Sequence, residues 1–191
     1  MESTIKQVPS TEDKVRHLFY IRIARHKLRP NECSDRFLKN FQFYEPRKWL
    51  AKQISKLWID IFKLYGWKEI EFGVKNRQLD LFSEERKAID GVVRRKASII
   101  EVKNNWKTCN FDEKQSKFKT LKEHKIKYPD YEIIYGCIND FQERDYINKD
   151  GVRVLTSDNF LKYMLGDNWI IINNLLIELL RDYIIKNKLA A

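Results

Sequence analysis

Residues 89–104, IDGVVRRKASIIEVKN, contain two short apolar runs separated by a basic stretch. In the second run, apolar residues flank an acid on both sides, which is typical of a strand buried within a sheet. We expect residues 88–93 and 97–102 to form two strands. The basic residues 94–96 are expected to form the turn between them, so that the two strands pair as an antiparallel hairpin.

This hairpin would bring three chemically active side chains together. Alternate residues of a strand share a face, so Glu101 and Lys103 are expected on one side of the strand and Val102 on the other. Pairing about the basic turn carries Asp90 back beside Glu101. The stretch therefore predicts two carboxylates and an amine at one place.

Helical patterns precede the hairpin. Residues 46–65 predict the clearest helix, with Pro46 in its first turn and Gly66 at its end. A shorter basic helix is expected over residues 13–27, and another turn or two over residues 34–41. The apolar face of the long helix is formed by Leu50, Ile54, Leu57, Trp58, Ile61, Phe62 and Tyr65.

Strands and helices alternate in the rest of the chain. Further strands are predicted at residues 69–74, 79–82, 131–138 and 151–155. Helices are predicted at residues 112–126, from a cap at Ser157 or Asp158 to Leu165, and at residues 168–186. This order predicts an α/β (α+β) fold with a central mixed β-sheet flanked by helices. One domain is expected over residues 1–191, with an N-terminal helical extension (1–44), a core (45–165) and a C-terminal helix (166–191).

Composition narrows the class of protein. The 191 residues include 37 Lys and Arg against 27 Asp and Glu, and the net charge of +10 favours a polyanionic partner. The three cysteines are far apart with no CxxC pair, which argues against a zinc site or a disulfide framework. The polar start and the interrupted apolar run from Trp169 predict no membrane association and a cytoplasmic location. No GxxxxGK[ST] motif is present, so no nucleotide cofactor is expected.

Paired carboxylates next to a lysine suit phosphodiester hydrolysis. Two carboxylates can hold Mg²⁺ while leaving positions open for water and phosphate. An amine beside them can stabilise the negative charge of the pentavalent phosphate or help to deprotonate the attacking water.

Asp90, ten intervening residues and Glu101-Val102-Lys103 resemble the PD-(D/E)XK nuclease signature, with Ile89 where the family usually has proline. The resemblance implies a restriction-endonuclease-like core over roughly residues 45–165, although only residues 90–103 match specifically. It further implies Asp90 and Glu101 as metal ligands, the Val102 carbonyl as another ligand, and Lys103 as the catalytic lysine. Mg²⁺ is the implied cofactor, with Mn²⁺ as a substitute.

Other stretches imitate the motif less well. Asp112 with Glu123-His124-Lys125 has the same spacing but lies in a segment of helical character. Pro129-Asp130 is more typical of a turn, and Asp80 is too close to Glu85-x-Lys87. The competing interpretation of residues 89–104 is an exposed hairpin whose charges protect a sheet edge.

Residues around the motif are candidates for secondary roles. A supporting acid or amide is expected among Glu45, Glu69, Glu71 and Gln115. Contacts with DNA phosphates or base edges are expected from Lys75, Arg77, Arg94, Arg95, Lys96, Asn104, Asn105, Lys107, Lys114, Lys117 and Lys119.

The leading hypothesis is a type II restriction endonuclease, a homodimer that cuts double-stranded DNA at a short specific sequence. A palindromic target matches the two-fold symmetry of such a dimer. One alternative is a Holliday-junction resolvase or a repair or homing nuclease of the same superfamily. An alternative from another class is a non-catalytic basic DNA-binding protein.

Overall fold

The computed structural model describes residues 9–27, 48–69, 81–84, 98–105, 111–140 and 142–189. Six strands in these residues form one mixed sheet in the order β1-β2-β3-β4-β6-β5, with helices packed against it. The elements are α1 (Thr11–Phe19), α2 (Lys48–Leu64), β1 (Lys68–Glu69), β2 (Leu81–Glu84), β3 (Ser98–Asn105), α3 (Phe111–Lys127), β4 (Glu132–Asn139), β5 (Asp145–Ile147), β6 (Arg153–Thr156), α4 (Ser157–Leu165) and α5 (Trp169–Leu189).

The long helix is confirmed. Helix α2 buries the predicted apolar residues on one face, from Leu50 to Phe62. The chain then turns at Gly66, whose φ of 91° is a backbone conformation that side chains disfavour. Pro46 lies outside the described residues.

The N-terminal helix is also present, and it has a start that sequence reasoning missed. Ser10 caps α1 by accepting a hydrogen bond from the Asp13 backbone N–H, and the Asp13 carboxylate accepts one from the Ser10 backbone. A π-helical turn, Tyr20–Ala24, continues the helix. Val15, Phe19 and Ile23 are buried, so this extension packs into the main core. Residues 34–41 lie outside the described part of the chain.

The middle of the sheet is parallel and its flanks are antiparallel. Strand β3 pairs in parallel with β4, and β4 pairs in parallel with β6. Strand β2 pairs antiparallel with both β1 and β3, while β5 pairs antiparallel with β6. The carboxyl ends of β3, β4 and β6 therefore meet at one edge of the sheet, which we call the carboxyl edge.

The two faces of the sheet are both covered. Ile100, Val102 and Ile134 face a large apolar core built with α1, α2, α4 and α5. Ile99 and Tyr135 face a smaller cluster that includes residues of α3. This two-sided burial explains why β3 and β4 have nearly continuous apolar sequences.

The predicted hairpin is wrong. Over residues 98–101, β3 has β2 on one side and β4 on the other, so residues 88–93 have no edge of β3 to pair with there. The antiparallel partner is residues 81–84 instead. A run of charged residues such as 94–96 does not by itself dictate a turn, so it is weak evidence for which strands pair.

Smaller differences concern the carboxyl-terminal half. Strand β5 was not predicted, because its three residues are all exposed and carry no alternating pattern. Thr156, rather than Ser157 or Asp158, is the N-cap of α4. Helices α3 and α5 and strands β4 and β6 agree with the predictions within a few residues. Among the described residues, no helix is long and apolar enough to cross a bilayer.

Candidate active site

Glu101 and Lys103 lie on β3, and their side chains approach each other. Lys103 Nζ is 3.7 Å from Glu101 Oε1, which confirms that the two residues share a face of the strand. The Glu101 side chain has no exposed surface, whereas 17% of the Lys103 side chain is exposed. The pair therefore joins a fully buried carboxylate to a lysine whose side chain is mostly buried but partly exposed.

Such a carboxylate is unusual in this molecule. Apart from Glu101, the buried polar residues in the described segments are Ser98 and Thr156, which are uncharged. Removing an ionised carboxylate from water costs several kcal/mol, and an attractive partner must offset much of that cost. Attraction to the Lys103 ammonium offsets part of this cost. The 3.7 Å between Lys103 Nζ and Glu101 Oε1 is longer than the length of about 2.8 Å that is typical of a charge-assisted hydrogen bond.

Glu101 is the fourth of the eight residues of β3 and Lys103 the sixth, so Lys103 is the nearer of the two to the carboxyl edge. Glu101 is level with Tyr135 of β4, and Lys103 is level with Cys137. On the opposite side of β3, Glu101 faces Leu81 of β2. Because β3 is a central strand held on both sides, the backbone at Glu101 is fixed by its neighbours rather than by a loop.

A polar network braces the neighbouring part of this edge, and sequence reasoning missed it. Ser157 Oγ donates to the Asp140 carbonyl oxygen at 2.8 Å, and Thr156 Oγ1 donates to the Gln142 carbonyl oxygen at 2.6 Å. Arg144 donates from Nε to the Asp140 carboxylate at 2.8 Å. The signal was available, since polar residues directly follow the apolar parts of β4 and β6.

Ser157 also adopts a φ of 52°, which is uncommon for residues other than glycine. Its two hydrogen bonds to the Asp140 backbone hold this conformation. The burial of Asp158 and the nearby Glu143 carboxylate raise the pKa of the Asp158 carboxyl above its ordinary value. The carboxyl edge thus combines tight turns with several acidic groups.

The predicted supporting residues are only partly described. Glu69 lies on β1, two strands away from β3, where it pairs with Phe82. Gln115 lies in the first half of α3, the helix that follows β3. Glu45, Glu71 and Asp90 lie outside the described residues.

The predicted DNA-contacting residues are also divided. Lys119 is exposed on α3. Asn104 and Asn105 end β3, and Lys114 and Lys117 lie in α3. The other predicted contacts, Lys75, Arg77, Arg94, Arg95, Lys96 and Lys107, lie outside the described residues.

Two competing motifs lack the strand geometry. Asp112, Glu123 and Lys125 are all in helix α3, and Lys125 Nζ donates to the Pro129 and Tyr131 carbonyl oxygens at 2.9 Å. Asp130 lies in the turn before β4. Neither places an acid and a lysine side by side on a strand.

The donor chemistry of this site fits a hard divalent cation in part. Glu101 offers carboxylate oxygens and Val102 a backbone carbonyl, and Mg²⁺ prefers oxygen ligands. Within the described segments, no group of three or more His, Cys, Asp or Glu side chains could hold a metal ion. Asp90, the other metal ligand that the resemblance implies, lies outside those segments.

A scan against models of protein families gives no match, and a search of curated protein sequences gives none either.

Proposed function

We propose that this protein is a Mg²⁺-dependent endonuclease that hydrolyses double-stranded DNA at a short specific sequence, in the manner of type II restriction endonucleases. The observation that carries the proposal is the buried Glu101 carboxylate beside the Lys103 ammonium on a central strand. A purely structural role gives no reason to bury this charge, because an apolar residue there would cost less.

The setting of the pair supports a nuclease of the PD-(D/E)XK type. The resemblance implies a mixed sheet flanked by helices, and the sheet around β3 is mixed and covered on both faces. Glu101 and Lys103 occupy alternate positions on its central strand, as the motif requires. The remaining acid of the motif, for which the sequence nominates Asp90, completes the proposed site.

Each residue has a defined task in this proposal. Glu101 holds the cation through its carboxylate, at a position fixed by the neighbouring strands. The chemistry that a Mg²⁺ ion held there would supply is a coordinated water of lowered pKa and neutralisation of charge on the scissile phosphate. Lys103 directs its ammonium group toward the same phosphate and stabilises the charge that develops on its oxygens.

The basic surface supplies the affinity for DNA. The net charge of +10 attracts a polyanion, and exposed lysines such as Lys119 on α3 neutralise phosphates. These contacts carry no base information, so sequence specificity would come from side chains that reach a groove. A homodimer acting in the cytoplasm completes this interpretation.

Plasmid cleavage tests the proposal. Purified protein is incubated with plasmid DNA in Mg²⁺ or in EDTA, and the products are separated on a gel. For the wild type, discrete fragments are expected in Mg²⁺ and intact plasmid in EDTA. For Glu101→Gln and Lys103→Ala, no fragments are expected in either condition. Glu123→Gln is the matched control, since Glu123 is an exposed acid on α3.

The alternatives give different results in the same assay. A smear indicates a non-specific or repair nuclease, and cleavage of four-way junctions alone indicates a junction resolvase. Intact DNA of every form, together with tight binding that Mg²⁺ does not change, supports a non-catalytic DNA-binding protein and contradicts the proposal. Full cleavage by Glu101→Gln contradicts the site assignment.

A further inference from the structure

Helix α1, the π-helical turn after it and helix α2 carry much of the positive charge of the chain. Residues 9–27 and 48–64 contain nine Lys and Arg against three Asp and Glu, so they carry more than half of the net charge of +10. These basic residues lie outside the nuclease motif and outside the DNA contacts predicted around it.

Three lysines of α2 lie in one row. Lys52, Lys56 and Lys63 are exposed, and the only other exposed side chain among those described on α2 is Leu64. With 3.6 residues per turn, the three lysines fall within about 40° of one another around the helix. At 1.5 Å per residue, the row is about 16 Å long. A partner that approaches this side of α2 therefore meets a line of positive charge.

The end of the π-helical turn lies against the same helix. Arg22 Nε donates to the Asp60 carboxylate at 2.6 Å. The His26 ring packs edge-on against the Trp49 ring, with centroids 5.6 Å apart. Around α2, both Trp49 and Asp60 lie within about 40° of Lys56. The segment that follows α1 therefore borders the lysine row.

Two more basic residues lie on this segment. Arg25 and Lys27 are exposed. Arg25 Nε donates to His26 Nε2 at 3.1 Å, and Tyr183 Oη donates to the His26 carbonyl oxygen at 2.9 Å. The backbone that carries the two side chains is thus held by contacts within the protein. We use the name basic face for the surface formed by Arg25, Lys27, Lys52, Lys56 and Lys63.

The acidic residues of these two segments do little to cancel this charge. The Asp60 carboxylate is paired with Arg22, and only 17% of its side chain is exposed. The Asp13 carboxylate accepts hydrogen bonds from the Ser10 backbone and hydroxyl. Glu12 lies beside Asp13 in the first turn of α1, at the opposite end from the basic face. The basic face is therefore a local concentration of positive charge.

The charge and length of the basic face fit the backbone of duplex DNA. B-DNA carries one phosphate per about 3.4 Å on each strand, so a row of about 16 Å runs past about five phosphates of one strand. An anionic membrane attracts the same charges, but a helix that lies in a membrane surface inserts an apolar face into lipid. The apolar face of α2 is buried in the protein core, so α2 has no such face to insert.

We infer that the basic face binds the phosphate backbone of double-stranded DNA, as a contact area additional to the residues around the nuclease motif. The inference rests on the proposed function, in which duplex DNA is the substrate. Lysines and arginines on such a face displace counterions from the phosphates and position the duplex without reading its bases.

Double substitutions test the basic face. Lys52→Gln with Lys56→Gln, and Arg25→Gln with Lys27→Gln, each remove two positive charges. Affinity for a fluorescent DNA duplex is measured by anisotropy at several salt concentrations, in EDTA so that no metal-dependent cleavage occurs. Each lost phosphate contact lowers the slope of log affinity against log salt concentration by about 0.9. Each double variant is therefore expected to lower the slope by about 2 and to bind at least about tenfold more weakly at about 0.1 M salt.

Lys162→Gln with Lys186→Gln is the charge-matched control. Both lysines are exposed, on α4 and α5, so this variant loses the same net charge outside the basic face. It is expected to bind DNA within about twofold of the wild type. Gln and Lys have similar helix propensities, so all variants should keep their helices, which circular dichroism checks. Equal losses in the control and in the basic-face variants overturn the inference, because net charge rather than location would then govern binding.

The outcomes separate this inference from the proposed function. Wild-type affinity for DNA in both basic-face variants overturns the inference alone, and so does a loss confined to binding of phosphatidylserine vesicles. Weakened binding in these variants, together with a wild-type protein that cleaves no DNA in Mg²⁺, supports the basic face and contradicts the nuclease. A wild-type protein that binds no duplex DNA overturns both.

Discussion

The ion pair on β3 is expected to respond asymmetrically to removal of its two members. Lys103→Met leaves the fully buried Glu101 carboxylate without its neighbouring ammonium group. Glu101→Gln instead leaves a lysine whose side chain is already 17% exposed and can extend into solvent. The burial of the two partners therefore predicts which substitution costs more stability.

The magnitudes follow from the separation and the burial. Two unit charges about 4 Å apart attract by about 4 kcal/mol at an effective dielectric constant of about 20. Breaking a buried pair costs about 3–5 kcal/mol when the remaining charge stays buried. Lys103→Met is therefore expected to lower the free energy of unfolding by about 3 kcal/mol. Glu101→Gln is expected to change it by less than about 1 kcal/mol, because the carboxylate's desolvation cost disappears with its attraction to Lys103.

Urea unfolding followed by tryptophan fluorescence measures these differences, with EDTA present to remove any bound cation. The double variant, Glu101→Gln with Lys103→Met, completes a double-mutant cycle and is expected to recover most of the stability that Lys103→Met loses. Equal costs for the two single variants would refute the argument from burial. A double variant no more stable than Lys103→Met would show that the carboxylate is not the source of the penalty.

Three further predictions concern other parts of the molecule. A Cβ at Gly136 would overlap the Phe160 ring, so Gly136→Ala is expected to lower the free energy of unfolding by about 1–3 kcal/mol relative to the wild type, measured by urea unfolding. An unchanged urea midpoint for Gly136→Ala would contradict this packing. Hydrogen bonding from Arg153 lowers the pKa of Asp145, so this carboxylate stabilises the fold above its ordinary pKa of 3.8 and loses that effect as the pH falls through the folded-state pKa. In Asp145→Asn the melting temperature should therefore fall less steeply than in the wild type as the pH is lowered below about pH 5. The same steepness in both proteins would contradict a stabilising role for this pair. If Lys119 contacts a DNA phosphate, Lys119→Ala should reduce the slope of log affinity against log salt concentration by about 1, and an unaltered slope would exclude that contact.

Local patterns predicted the elements well. The spacing of apolar residues located α2, and Gly66 marked its end, because both signals depend only on neighbouring residues. The shared face of Glu101 and Lys103 was equally predictable, since alternation is a property of any single strand. By contrast, β5 has three exposed residues and is a strand only because β6 pairs with it.

Pairing between strands was the part that local patterns did not determine. Residues 88–93 and 79–82 were both acceptable strands, and either could have been placed beside β3 on sequence alone. Two facts about β3 decide between them over residues 98–101. Its other side is occupied by β4, and its antiparallel side is occupied by residues 81–84. A one-residue change of register would exchange the faces of every side chain on β2, so the choice has chemical consequences.

The same distinction explains why one half of the proposed site is better specified than the other. Glu101 and Lys103 are neighbours because one residue, Val102, lies between them, which is one repeat of a strand whatever the rest of the chain does. The second acid of the proposed site must come from another part of the chain, so its position depends on pairing between strands. Spacing in the sequence nominates Asp90, but such spacing corresponds to a distance in the fold only when the pairing of the strands between the two residues is known.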